Sequence, residues 1–198
     1  MKKYSFKKDK FCIVRKGISK ELATFMYNYL LMKEEVLHKL RESKYISPFE
    51  SMHGTIGDDQ VEKSGLNIYG DPANDTLLLL CQNILEKATG LELIPTYTYS
   101  RNYIEGSELK KHRDRPSCAI SATLNLGGDP WSIFIEKKEI NLKPGDILVY
   151  SGCDLEHWRK PFTGEKCVQV FLHYTESKNI DLLYDTRPYL GLPPYFKK

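Results

Sequence analysis

The hydrophobic pattern of the chain changes period once, near residue 91, and that change constrains the fold more than any other feature. Ahead of it, apolar residues recur at spacings of three and four, as on helices buried along one side. Leu22, Phe25, Met26, Tyr29 and Leu30 form such a stripe behind Ser19, a residue suited to cap a helix start. The spacing predicts a helix to about Leu40, with Lys33 as the place where it would break. A second helix is predicted between a cap at Asn74 or Asp75 and a stop at Gly90, with Leu77, Leu80, Cys81, Ile84 and Leu85 as its stripe. Residues 41–73 lie between the two and are rich in Gly, Ser, Asp and Pro. A loop of that length in a compact domain is usually functional or mobile. We read it as a candidate lid, with a plain connector as the alternative.

From Glu92 onward the period is two. Segments 93–103, 118–126, 131–136, 139–142, 147–151 and 166–174 read as strands. Turn residues separate them, as in Gly127-Gly128-Asp129-Pro130, Lys143-Pro144-Gly145-Asp146 and Thr163-Gly164-Glu165. Many short, punctuated strands suggest a sandwich or jelly roll. Helices first and strands afterwards suggest an α+β fold with supporting helices on one side of it. The expected organisation is one domain over residues 1–198. Its parts are mainly helical support over 1–90, a jelly-roll core over 92–175 and an irregular, Pro- and aromatic-rich tail over 176–198.

Composition removes several function classes. Lys+Arg 29 against Asp+Glu 26 gives a net charge of +3, too balanced to imply nucleic-acid binding by itself. The longest apolar run, Leu77 to Cys81, falls far short of the roughly 18 residues of a membrane helix. The basic N-terminus, with Lys2, Lys3, Lys7, Lys8 and Lys10, lacks the apolar stretch of a secretory signal. Cysteines at 12, 81, 118, 153 and 167 are odd in number and form no Cys-x-x-Cys pair. That disfavours a disulfide framework or a thiolate zinc site and points to a reducing, cytoplasmic location.

Parity and setting sort the five histidines. His38 lies among charges on a helix and His53 lies in the long loop. His173 faces away from the side that Val170 and Leu172 share with Lys166, and reads as a satisfied structural histidine. His112 and Asp114 are two apart, so in extended chain both project from one face. An imidazole and a carboxylate side by side are good ligands for a divalent metal, and His157 on a neighbouring strand would complete a set of two histidines and one carboxylate. Such a set suits Fe(II) and leaves three of six positions open. Lys166 sits on an apolar strand face, which is costly unless a carboxylate meets it. A dicarboxylate cosubstrate reaching from metal to lysine would supply that carboxylate; an exposed lysine at the start of the strand is the alternative. On the segment 117–125 the even positions are apolar, while Ser117, Ala119, Ser121, Thr123 and Asn125 make a small, largely polar odd face suited to lining a pocket, with a strand wet on one face as the alternative.

Taken together, His112-x-Asp114, His157 and a basic residue nine positions later resemble the Fe(II)/2-oxoglutarate-dependent dioxygenases, especially the prolyl 4-hydroxylase-like branch. Tyr103-x-x-Gly106-x-x-Leu109-x-x-His112 is similar to that branch's approach to its first ligand. Lys143-Pro144-Gly145-Asp146 is similar to the family's turn into the strand before the distal histidine, and Val168 to Tyr174 to its last core strand. The strings Tyr69-Gly70-Asp71-Pro72, His112-Arg-Asp-Arg-Pro-Ser117 and Glu156-His157-Trp158 resemble bacterial and phage 2-oxoglutarate oxygenases; the resemblance spans residues 66–175. It implies a double-stranded β-helix, with His112, Asp114 and His157 as metal ligands. Lys166 is implied as the anchor of the distal carboxylate of 2-oxoglutarate, with Tyr103 and Thr123 as further cosubstrate contacts; Tyr99 shares the strand parity of Tyr103 and is a candidate to face the same pocket. Arg115, Trp131, Trp158 and Arg159 are candidates to border the substrate. The implied chemistry couples decarboxylation of 2-oxoglutarate by O2, giving succinate and CO2, to hydroxylation of a substrate C–H bond. The branch suggests a prolyl residue of a protein or peptide. A nucleobase or a small metabolite is the alternative substrate, and a non-catalytic jelly-roll binding module is the alternative class. A protein kinase, suggested by His112-Arg113-Asp114, is excluded because Ala119 stands where its Asn should be and no glycine-rich loop exists. A zinc hydrolase would leave Lys166 unexplained.

Overall fold

The computed structural model describes residues 4–196. A single-turn helix α1 (Phe6–Asp9) leads into β1 (Phe11–Val14) and a long helix α2 (Lys20–Glu42). Short strands β2 (Thr55–Ile56) and β3 (Leu66–Tyr69) precede helix α3 (Pro72–Thr89). The remaining strands are β4 (Leu93–Ile104), β5 (Leu109–His112), β6 (Ile120–Gly128), β7 (Ile133–Ile135), β8 (Lys138–Ile140), β9 (Ile147–Ser151), β10 (His157–Arg159) and β11 (Lys166–Glu176). They form a seven-stranded sheet in the order β1-β9-β6-β11-β4-β3-β2 and a four-stranded sheet in the order β5-β10-β7-β8. The two sheets make the jelly roll expected from the punctuated strands. Neighbouring strands are antiparallel throughout.

Local chemistry explains where the helices start and stop. Ser19 Oγ accepts a hydrogen bond from the Leu22 amide at 3.2 Å and caps α2. No Pro or Gly interrupts residues 20–42, so the helix runs through Lys33 without the break expected there. Lys33 instead reaches Asp71 at 2.7 Å and ties α2 to the start of α3. The α3 cap is Asp71, three or four residues earlier than expected. Its carboxylate accepts from the Ala73 and Asn74 amides, and Pro72 takes the first helical position, where no amide hydrogen is needed. The buried stripe is correspondingly rotated. Leu77, Leu78, Cys81 and Leu85 are buried, whereas Leu80 is half exposed. Gly90 ends the helix with φ 74°, a left-handed conformation that glycine adopts without strain.

Two packing layers result. Ala23, Met26, Leu30 and Leu37 of α2 meet the even residues of β6 and β11, including Ala122, Leu124, Val168, Val170 and Leu172. Burying each such Leu or Val contributes about 1.5–3 kcal/mol relative to exposure. The odd residues of β6 and β11 face the other way, toward the four-stranded sheet. That inner layer holds a smaller cluster, Phe11, Ile133, Ile135, Ile140, Leu148 and Tyr150. It leaves a cavity at the end where β5 and β10 meet.

The segment 41–73 is partly sheet, since β3 pairs with β4. The tail is more firmly held than a surface strap. Arg187 is buried, with Nη1 at 2.6 Å from the Leu192 carbonyl and 3.4 Å from Asp75. Among the described residues no helix is long and apolar enough to cross a membrane.

Candidate active site

Strand register brings three distant residues together. His112 ends β5 and sits opposite His157, the first residue of β10. Asp114 follows in the loop, held by a hydrogen bond from its amide to the Gly152 carbonyl at 2.9 Å. Asp114 Oδ1 lies 3.7 Å from His112 Nε2 and 3.5 Å from His157 Nε2. One ligand atom from each of the three residues lies within 4.8 Å of the others. The far nitrogen of each imidazole is engaged by backbone. His112 Nδ1 is 2.8 Å from the Lys110 carbonyl and His157 Nδ1 is 3.1 Å from the Leu155 carbonyl. A carbonyl only accepts, so both rings carry hydrogen on Nδ1 and turn the Nε2 lone pair toward Asp114. Two imidazole nitrogens and one carboxylate oxygen are a donor set of the kind that holds a divalent metal. Close packing behind it needs glycine at 152, where a Cβ would collide with the Asp114 carboxylate and the Cys118 carbonyl.

Electrostatics favour the ligand state. Burial opposes ionisation of Asp114, but the hydrogen bond and charge that His157 offers when its ring is protonated, then charge on His173 and the Ser121 hydroxyl, outweigh it and pull the carboxyl down to about 2. Burial and the neighbouring His157 lower His112, keeping it neutral.

The cavity beside these ligands measures about 410 Å3. Its walls are Tyr97, Tyr99 and Arg101 of β4, Phe171 and His173 of β11, and Tyr150 of β9. Asp58, Asp59 and Gln60 of the long loop close one side. Asp58 accepts from Tyr99 Oη at 2.7 Å and pairs with Arg101, so the loop is fastened to the cavity wall. Arg115 lies at the rim, over the Tyr97 ring and 3.0 Å from Asp185.

Lys166 is the principal correction. Its Nζ lies 3.0 Å from Glu34 of α2, on the helix side of the sheet and away from the cavity. Strand alternation is the reason. Lys166 shares its face with Val168, Val170 and Leu172, and that face packs on the helices. A lysine there does need a carboxylate, as argued from sequence, but the protein supplies its own in Glu34. His173, on the opposite face, lines the cavity instead of serving only as a structural filler.

A different cation reaches the inner layer. Arg159 is two residues after His157 on β10, so it points to the same side. It is 1% exposed. Its Nη1 donates to the Trp131 carbonyl and Nη2 to Gln169 Oε1, both at 2.6 Å, while Nε has no partner. Both acceptors are neutral, so a guanidinium stripped of water meets no carboxylate. Burial lowers its pKa accordingly. Trp131 thus supports Arg159 from behind, packing edge-on against Tyr103 at 4.6 Å, and does not line the cavity. Trp158 is also corrected. It alternates to the outer face of β10, stacked on Phe134 at 5.4 Å under Lys111. Tyr103 and Thr123 are fully buried on the inner side, and Tyr99 lies on the cavity wall. The alternation Tyr97-x-Tyr99-x-Arg101-x-Tyr103 was a readable sign that Tyr97 and Arg101 share this wall. Nothing in the sequence marked Asp58.

Neither a family model nor a curated protein matches the sequence. Solved structures do match in shape. HygX from Streptomyces hygroscopicus, with nickel and 2-oxoglutarate bound, superposes with TM-score 0.62 at 10% identity, covering 87% of this chain and 85% of that one. A Pseudomonas putida prolyl-4-hydroxylase superposes with TM-score 0.52 at 15% identity, over 86% of this chain and 95% of that one. EctD from S. alaskensis with bound Fe gives 0.61 at 13% identity, over 88% and 75%. The protein therefore has the double-stranded β-helix fold shared by the Fe(II)/2-oxoglutarate oxygenases.

Proposed function

We propose that the protein is an Fe(II)- and 2-oxoglutarate-dependent dioxygenase that hydroxylates a C–H bond. The observation that carries this reading is the convergence of His112, Asp114 and His157, with both Nε2 lone pairs and one carboxylate oxygen aimed at a common point beside a cavity. Two neutral nitrogens and one carboxylate on one face suit Fe(II) and leave room for a chelating cosubstrate and O2. When bound, iron with 2-oxoglutarate and O2 supplies the oxidising chemistry, releasing succinate and CO2.

The chain's own residues do the rest. His112, Asp114 and His157 would hold the metal. Arg159 would take the distal carboxylate of 2-oxoglutarate. It is a fully buried cation with no carboxylate partner, whereas Arg101 is already neutralised by Asp58. Tyr103, packed against Trp131 and beside the Arg159 guanidinium, would shape the same end. The loop bearing Asp58 and Gln60 would limit water at the reacting face, in the manner of a lid. Free cysteines at all five positions fit a reducing cytoplasm.

For the substrate we propose a prolyl residue in a protein or peptide. Support comes from the approach Tyr103 to His112 and from the fold likeness to the Pseudomonas putida prolyl-4-hydroxylase. A small molecule is the second reading, favoured by the loop closing one side of the cavity and by the likeness to HygX, solved with hygromycin B bound. The test is anaerobic loading with Fe(II) and 2-oxoglutarate, exposure to O2, and succinate measurement against prolyl peptides and small molecules. Succinate release that rises with one substrate set and vanishes in His112→Ala is expected. No succinate at any iron loading would end the enzyme reading.

A further inference from the structure

Behind the ligand face, a hydroxyl and a third imidazole lie one step from the metal carboxylate. Ser121 and His173 are paired across β6 and β11, and both are buried. Ser121 Oγ lies 2.6 Å from Asp114 Oδ2, 3.0 Å from the Cys118 carbonyl oxygen and 3.0 Å from His173 Nδ1. The carboxylate and the carbonyl can only accept. Ser121 has one proton, and the short contact to the charged oxygen claims it. None is left for His173. Its Nδ1 must therefore carry hydrogen and donate it to Ser121. The ring plane is set by Tyr97, whose centroid is 4.6 Å away, and by Phe171 at 6.5 Å.

We infer that Ser121 and His173 are positioning residues for the metal centre: His173 donates to Ser121, and Ser121 donates to Asp114 Oδ2, so that only Oδ1 faces His112 and His157. The inference rests on the metal-centre reading above. A carboxylate free at both oxygens can rotate or bind through both, whereas one capped oxygen fixes a single, directed donor. Donation by His173 polarises the Ser121 hydroxyl and strengthens its bond to the carboxylate. Outer partners of this kind typically change metal affinity by about 10–100-fold.

The test is titration of the metal-free protein with Co(II), followed by its visible absorption. Ser121→Ala and His173→Gln are expected to weaken Co(II) binding about 10–100-fold and to alter the spectrum. Ser121→Thr keeps the hydroxyl, and His173→Asn keeps an N–H near the Nδ1 position, so both are expected to return affinity and spectrum close to wild type. Unfolding midpoints of the metal-free variants report whether they fold. Nitrogen NMR of the 15N-histidine-labelled wild-type protein needs no variant and is expected to show His173 with hydrogen on Nδ1. Wild-type affinity and spectrum in folded Ser121→Ala and His173→Gln would overturn the inference. So would equal losses in His173→Asn and His173→Gln, or hydrogen on Nε2 alone. A wild-type protein that takes up no Co(II) would remove the metal-centre reading itself, and this result is distinct from the others.

Discussion

The two faces of β11 carry polar groups to opposite ends. On the helix side, Lys166 meets Glu34 at 3.0 Å, and Glu34 also receives the Asn102 amide at 2.7 Å. On the inner side, Gln169 accepts from an arginine whose Nε has no partner, and His173 completes a chain that ends on Asp114. Charge on the helix face is neutralised within the fold. On the inner face Arg101 is paired with Asp58, but Arg159 is left with unspent capacity where water is excluded. Buried polar groups are normally satisfied, so the Arg159 guanidinium, with no carboxylate and an unpartnered Nε, has capacity left for a ligand carboxylate.

The contrast breaks most visibly at the ligands. His112→Ala should lower Co(II) or Fe(II) affinity by more than the roughly 100-fold that outer partners cost and abolish succinate formation, as direct metal titration and product assay would show. Next comes Arg159→Met. Truncating a buried charged partner costs about 2 kcal/mol or more, so 2-oxoglutarate affinity should fall at least roughly 30-fold while metal binding persists. Isothermal titration of the Mn(II)-loaded protein checks this. Lys166→Met should behave in the opposite way. It leaves Glu34 without its cation and should cost about 1 kcal/mol of stability, discounted because Lys166 is partly exposed. Cosubstrate affinity should stay at wild type. Chemical denaturation and the same titration separate the two effects. Trp158→Ala is the mildest. Its ring lies on the outer face under Lys111, so it should cost about 1 kcal/mol or less and leave turnover unchanged.

How much of this was legible in the sequence depended on how long each element is. The twelve residues of β4 and eleven of β11 reveal their alternation, and helix α2 reveals its stripe. The ligand triad was legible because His112-x-Asp114 is local and its face follows from extended geometry alone. The anchor was not. Counting nine residues from His157 crosses the turn 160–165, and a count does not report parity across a turn. The parity of Lys166 with Val168, Val170 and Leu172 was readable, but which of the two strand faces lines the cavity was not, and the apolar face that carries Lys166 packs on the helices. Arg159 lies on a strand of three residues, too short for alternation to show. The loop contact of Asp58 with Arg101 joins residues 43 positions apart, and no local pattern encodes it. The cap of α3 was misplaced because Asp71, Asn74 and Asp75 are all good cap residues. Only the position of Pro72 decides among them.

A crystal structure with Mn(II) and 2-oxoglutarate would show whether the ligand triad and Arg159 form one site. The metal is expected on His112 Nε2, Asp114 Oδ1 and His157 Nε2, with the distal carboxylate on Arg159 and Lys166 still on Glu34. A metal held elsewhere, or a cosubstrate carboxylate reaching Lys166 on the helix side, would contradict that arrangement.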